Sequence, residues 1–254
     1  MKKLLTLVAI AAAIPLVAVE SANVVGYTST SLEANKWYLM ACNFESTSGA
    51  NLNVQDMITG LTPGTDVYDS PVIQYWNGTQ LKTLVYMDGA WDEDALDGEG
   101  DFVVAWADDD GNAAKNATPP GFGCWIKLPA AGSILCSGQV KALATYPIDF
   151  GTSWDLLGNP YPTSLSFNNG NMDCSLLTAG TDVYDSPMIQ YWDGTALKTL
   201  IYMDGAWDED ALDGEGDFVI AWADDDGNAT KLSLPACTGF WIKGPTSGTI
   251  KFNR

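Results

Sequence analysis

Apolar and polar residues in this chain alternate in short runs broken by turn residues. No window of a dozen residues keeps a helical apolar period without Gly or Pro intruding. The run Val72-Ile73-Gln74-Tyr75-Trp76 is followed by Asn77-Gly78, then Thr79 to Met87, then Asp88-Gly89 and Ala90-Trp91. This order predicts two successive hairpins, because Asn-Gly and Asp-Gly accept the positive φ angles of a type I′ turn. Phe102 to Ala107 predicts a strand that runs into the turn Asp108-Asp109-Asp110-Gly111-Asn112. Cys124 to Leu128, a turn at Pro129 to Ser133 and the run Ile134 to Val140 predict a further hairpin. Several of these runs are apolar on both faces, which suits sheets packed against each other. The pattern is that of an all-β protein.

Self-comparison sets the organisation. Gly64 to Lys115 aligns with Gly180 to Lys231 at an offset of 116, and 46 of the 52 positions are identical. The six changes are mild, such as Val85 against Ile201 and Asn77 against Asp193. Further out, Trp37 to Ala41 matches Trp154 to Gly158 one residue out of step, and Cys124 to Lys127 matches Phe240 to Lys243. All ten Trp fall into five such pairs. Two tandem antiparallel β-sandwich units, or partly closed barrels, are expected at 23–144 and 145–254. Their near-identity favours separate, similar modules over a shared core.

The first residues pair Lys2 and Lys3 with an apolar run from Leu4 to Val19, closed by Glu20-Ser21-Ala22. A positive start and an apolar stretch too short to span a bilayer comfortably describe a secretory signal peptide at 1–22. A retained membrane anchor is the alternative. Nothing later resembles a membrane span, so an extracellular or cell-surface location is expected. The formal charge of −20 argues against nucleic acid and anionic membrane surfaces, which need basic patches. With 46% hydrophobic residues the chain can bury a sizeable core, so disorder is not the reading.

Five Cys in an exported chain suggest disulfides with one thiol left over. Cys124 and Cys136 flank the Pro129 turn and are expected opposite each other on paired strands, where Cβ atoms at ~4.5–5.5 Å suit a cystine. The sister positions hold Phe240 and Phe252. Cys174 and Cys237 form the second expected pair, and Cys42 is the odd one. Free buried thiols are the alternative.

Charge adds a further candidate. From Thr83 to Ala114 there are ten carboxylates and no Lys or Arg, and the window Thr199 to Thr230 repeats this. Asp92, Asp94, Asp97, Glu99 and Asp101 crowd together in one unit, and Asp208, Asp210, Asp213, Glu215 and Asp217 in the other. Oxygen-rich clusters are how proteins hold Ca2+, which takes six to eight oxygens in tolerant geometry. The spacing departs from an EF-hand, and a solvated acidic face is the alternative reading.

Other chemistry is excluded by absence. The chain has no His, so no His-assisted triad and no imidazole base exist. No Gly-rich phosphate loop and no zinc spacing occur. A glycosidase needs two carboxylates, and twenty acids in two stretches single out no pair. The chain is not expected to be an enzyme.

Trp154-Asp155-Leu156-Leu157-Gly158-Asn159-Pro160-Tyr161-Pro162 resembles the GWNLIGNPYP segment of exported bacterial surface proteins, often those of type IX secretion systems. Gly239-Phe240-Trp241-Ile242-Lys243 is similar to a strand that follows downstream in those proteins, and Asn23-Val24-Val25-Gly26-Tyr27 looks like the mature start of related exported chains. The resemblance covers about a fifth of the chain. It implies a β-sandwich module of a surface protein and no chemistry. The sequence departs from the type IX pattern in stopping at Arg254 without a sorting domain, which favours general secretion. The expected function is therefore that of a secreted, non-enzymatic structural or adhesive protein, a surface-layer or filament subunit. Its partners are copies of itself or other surface components. The alternative is a carbohydrate-binding module that stacks glycans on Trp76, Trp91 and Trp106, and on Trp192, Trp207 and Trp222.

Overall fold

The computed structural model describes residues 25–254 apart from Asn169, and the side chains of Asp97 and Asp213 are not among those described. The expected signal peptide at 1–22 lies outside the described residues. In chain order the first half holds β1 (Val25–Leu32), β2 (Trp37–Ala41), β3 (Leu52–Asn53), the one-turn helix α1 (Val54–Met57) and β4 (Val72–Trp76). It continues with β5 (Leu81–Asp92), the one-turn helix α2 (Ala95–Gly98), β6 (Asp101–Ala107), β7 (Ala117–Thr118), β8 (Gly123–Lys127) and β9 (Gly132–Gln139). The second half begins with β10 (Thr145–Phe150), β11 (Asp155–Gly158), β12 (Leu165–Ser166), β13 (Met172–Asp173) and β14 (Met188–Trp192). It ends with β15 (Leu197–Asp208), α3 (Ala211–Gly214), β16 (Asp217–Ala223), β17 (Ser233–Leu234), β18 (Gly239–Lys243) and β19 (Gly248–Asn253). The fold is all-β and sandwich-like, with antiparallel pairing throughout the named strands.

Two five-stranded sheets carry the structure, in the orders β2-β8-β4-β5-β6 and β11-β18-β14-β15-β16. The order is the same in both halves. The ribbon β1-β9 packs on the first sheet, because Leu32, Ile134 and Cys136 share a core with Met40, Ile73 and Ile126. The three strands β10-β19-β13 cover the second in the same way, through Phe150, Ile250 and Phe252. Gln55 caps one sheet end: its Oε1 accepts from the Trp106 amide at 2.8 Å, and its Nε2 donates to the Trp106 carbonyl at 2.9 Å. Asn168 does the same for Trp222.

The Asn77-Gly78 hairpin forms as expected, with Trp76 facing Leu81 and Gly78 at φ 94°. Asp88-Gly89 does not turn the chain. Strand β5 runs straight through it, and the pairing with β6 shifts register between Asp88 and Ala90. A β-bulge uses the positive φ of Gly89 (99°) as readily as a turn would, and local sequence does not separate the two. The hairpin expected around Pro129 is also absent. Strand β8 pairs with β2 and β4, whereas β9 pairs with β1 in a different sheet. Cys124 therefore faces Met40 and Tyr75, and Cys136 faces Thr28. Cys124 and Cys136 are therefore not cross-strand partners, and the expected bond between them is not formed. The Cys174–Cys237 pair fails as well: Cys174 Sγ takes a hydrogen bond from Trp222 Nε1 at 3.2 Å, whereas Cys237 Sγ lies 2.8 Å from Thr28 Oγ1. All five thiols are free and buried.

The two halves are not separate modules. One continuous core runs from Phe44, Met57 and Trp106 to Phe167, Trp222 and Phe240. The seam between the halves is reciprocal. Trp76 meets Trp241 edge-on at 6.0 Å, and their counterparts Trp192 and Trp125 meet at 5.8 Å. The Ala41 amide donates to the Cys237 carbonyl at 2.8 Å, and the matched Gly158 amide donates to the matched Gly121 carbonyl at 3.0 Å. Contacts in which i meets j′ and j meets i′ define an isologous interface, here contained in one chain. Near-identity of the units is as compatible with such packing as with independence, because an isologous surface is complementary to itself.

The Asn159-Pro160-Tyr161 segment serves this seam. Asn43 of the first half donates to the carbonyls of Asn159 and Tyr161, and the buried Tyr161 donates its hydroxyl proton to the Leu143 carbonyl at 2.6 Å.

Candidate functional site

Each half ends one sheet in an acidic hairpin tip, built by β5-α2-β6 and by β15-α3-β16. In the first tip Trp91 faces Phe102 across the strands, edge-on at 5.2 Å. Gly100 makes this possible: a Cβ there would lie 2.4 Å from the Trp91 ring, and its φ is 81°. Leu96 has φ 51°, an uncommon conformation for a γ-branched residue, and its side chain is 63% exposed. Phe102 is 67% exposed and Val104 49%. The second tip repeats the arrangement with Trp207, Leu212, Phe218 and Ile220. Large apolar side chains are thus held outward twice, at matched places.

The acids around them are engaged locally. Asp92 Oδ1 accepts from the Asp94 amide at 3.1 Å, and Asp101 Oδ1 from the Phe102 amide at 2.8 Å. Asp108 Oδ1 takes the amides of Asp110 and Asn112. Lys115 lies just past the base-free window, and its ammonium reaches into the cluster. It stands 3.4 Å from Asp92 and 3.4 Å from Glu93, and it hydrogen-bonds Asp94. In the second tip Lys231 pairs with Glu209 at 2.8 Å and Asp210 at 2.5 Å. The hydrogen bond to Asp94 holds the Lys115 ammonium well above its ordinary pKa, and that to Asp210 does the same for Lys231.

Of the expected calcium ligands, Asp92 and Asp94 meet around this ammonium, as Asp210 does around the second, where its companion is Glu209. Asp101 and Asp217 spend an oxygen on the next residue's amide, and Asp208 Oδ1 accepts from the Asp210 amide. Glu99 and Glu215 cap the one-turn helices through their backbone. The Asp97 and Asp213 side chains lie outside those described. Among the described residues no three acids, Cys or His converge as a metal-ligand group.

The six candidate stacking Trp residues separate into three fates. Trp106 and Trp222 are fully buried core residues. Trp76 and Trp192 belong to the seam. Trp91 and Trp207 are the most exposed of the six, at 38% and 39%, whereas Trp76 and Trp192 are half-buried. Trp91 lines a hollow of about 560 Å³ with Tyr75, Glu93, Asp108, Asn112 and Lys115. Trp207 lines a smaller one of about 330 Å³.

Sequence reasoning missed Leu96 in α2 and Phe102 and Val104 in β6, because an apolar residue inside a strand pattern reads as core until the structure shows which end of the strand is left uncovered. It also missed Lys115, which sits one residue beyond the acidic window. Comparison with protein-family models, curated proteins and solved structures finds no match for the chain.

Proposed function

We propose that this chain is an exported, non-catalytic structural protein that assembles with copies of itself along the outer edges of β6 and β16. The observation that carries the reading is the edge itself. Strand β6 ends its sheet, and its residues Phe102, Val104 and Trp106 turn their backbone amides and carbonyls outward, with the Phe102 amide taken by Asp101 Oδ1. Gln55 closes the Trp106 end. The Phe102 and Val104 end is flanked by exposed apolar side chains. An edge of this kind is a template for another strand, and apolar side chains beside it favour pairing. The same edge recurs at Phe218 and Ile220, so each molecule offers two equivalent attachment points, as a filament or layer requires. The acidic rim acts as the control: two tips approach against their own repulsion, which salt weakens.

Light scattering of the purified protein between low salt and 1 M NaCl tests this, since the screening length falls to ~3 Å at the upper end. The mass should rise with salt. Val104→Pro with Ile220→Pro removes one outward donor per edge at positions where an edge tolerates proline, so the double variant should fold and stay monomeric. A wild-type protein that remains monomeric at all salt concentrations, or a variant that associates equally, overturns the reading. A glycan-binding reading draws on Trp91 beside its polar hollow. Loss of glycan-array binding in Trp91→Ala with Trp207→Ala is its test.

A further inference from the structure

The seam contains a second piece of chemistry. Thr28 and Cys136 are register partners across β1 and β9, so their side chains share one face with Cβ atoms about 5 Å apart. Thr28 Oγ1 lies 2.8 Å from Cys237 Sγ, although Cys237 belongs to the other half of the molecule. A sulfur that touches the Thr28 hydroxyl is within reach of the Cys136 sulfur beside it. Each thiol acts on the other's acidity: hydrogen bonding between them raises the Cys136 thiol and, with Thr28, lowers that of Cys237. The remaining thiols behave differently. Burial pushes Cys42 and Cys174 up to about 11, and Cys124 higher still.

The sister positions explain how the pair is accommodated. Cys136 corresponds to Phe252 and Cys237 to Gly121. The seam thus sets two small side chains, Cys136 and Cys237, against each other at one place and a ring and no side chain, Phe252 and Gly121, at the matched place. Cys237 has φ 63°, the left-handed conformation that Gly121 adopts at 89°. A Cys in this conformation is uncommon, and the Ala41 hydrogen bond to its carbonyl helps hold it there. Its side chain also lines a cavity of about 460 Å³ at the seam, with Leu32, Tyr38, Trp192 and Leu234.

We propose that Cys136 and Cys237 form a disulfide that ties β9 to the 235–238 turn and so locks the two halves together. The oxidant is a disulfide of a small thiol or of a protein oxidase. The Cys237 thiolate attacks one of its sulfurs and releases one thiol. The Cys136 sulfur then attacks Cys237 Sγ and releases the second. Two Cys thiols lose two protons and two electrons, and the oxidant leaves as two thiols. The bond depends on export only for its occurrence in the organism. Its chemistry is independent of the assembly reading.

Purified, folded protein is treated with oxidised glutathione, alkylated and mapped without reduction. The expected result is a cross-linked peptide joining Cys136 to Cys237, with Cys42, Cys124 and Cys174 alkylated once the protein is denatured. Reduction should lower the melting temperature by roughly 10–20 °C, the scale for a closed loop of about a hundred residues in a domain of this size. Cys237→Gly, which copies Gly121, should fold and lose the cross-link. Recovery of Cys136 and Cys237 on separate alkylated peptides, both from treated native protein and after oxidative refolding, overturns the proposal. Whether the chain is exported is read separately, from its N-terminus in culture medium, so the two ideas fail independently.

Discussion

The seam is tightest where Ala41 meets Gly158. A Cβ built on Gly158 would sit 2.1 Å from the Ala41 Cβ and 3.1 Å from the Thr238 carbonyl oxygen. Methyl carbons need nearly twice the first distance, and both residues lie on backbone that cannot turn aside. Gly158→Ala must therefore push β11 from β2 by an ångström or more. Such overpacking costs ~1–3 kcal/mol. The displacement also strains the adjacent Gly158 bond to Gly121 and the Ala41 bond to Cys237, each worth ~0.5–1.5 kcal/mol. A total of ~2–6 kcal/mol follows, or a melting temperature lower by roughly 5–25 °C at this chain length. Ala41→Gly with Gly158→Ala exchanges the two side chains across the seam and should recover most of the loss. Guanidinium unfolding of the four proteins in a double-mutant cycle is the assay, and a coupling above ~1 kcal/mol is expected. A cost below ~0.5 kcal/mol for Gly158→Ala, or strict additivity in the cycle, would refute the packed seam. The same curves should show one transition, because a shared core cannot unfold by halves.

Trp106→Ala and Trp222→Ala should each cost ~3–5 kcal/mol, since both rings are fully buried, whereas Trp91→Ala and Trp207→Ala should cost far less. Denaturant midpoints would separate them. Calcium should raise the melting temperature of the wild type no more than NaCl at matched ionic strength, because Lys115 and Lys231 already occupy the acid clusters. Lys115→Met with Lys231→Met frees those carboxylates, and a calcium-specific rise should then appear; its absence shows that the tips cannot hold the ion. Asp193 accepts from the amides of Ala196 and Thr195 and the Thr195 hydroxyl, which hold its carboxyl at about 2. A depressed carboxylate contributes stability above its unfolded pKa of ~3.9 and loses it as pH falls towards 2. Asp193→Asn, which copies Asn77, should flatten the acid limb of stability between pH 4 and 2 without harm at pH 7.

The sequence patterns that were legible were local ones. Alternating apolar runs gave the strands, and Asn77-Gly78 gave its hairpin, because both follow from backbone preference and a two-residue period. Asp88-Gly89 misled because a bulge and a turn make the same demand on φ, and only the partner strand decides between them. Cys124 and Cys136 misled for a related reason. A short polar link between two strands fits a hairpin and equally fits a crossing between layers. The acidic tips were visible as composition, but Lys115 answers them from outside the window through tertiary folding. Phe102 and Trp106 lie on one face of β6, the first exposed and the second buried, because the covering layer reaches only part of the strand, and no local period encodes that reach.

The distribution of sameness between the halves follows from the seam. Gly64 to Lys115 and its copy build the β4-β5-α2-β6 segment and its counterpart, which reach the interface through β4 and β14, around Trp76 and Trp192, and carry their acidic tips away from it. Those tips meet solvent and, in the proposed assembly, the same partner, so identical letters serve both. The segments that differ are those that meet across the seam. Two copies of Ala at the Ala41 and Gly158 position would collide there, while two copies of Gly would leave a gap. A dimer of identical chains must accept one or the other. A single chain can place Ala against Gly, and can set Cys136 and Cys237 together where the matched positions hold Phe252 and Gly121. Covalent joining of the halves thus releases the interface from self-complementarity while the exposed tips keep theirs. On this argument, making the seam symmetric by Gly158→Ala should harm the fold far more than any exchange between Val104 and Ile220 at the tips.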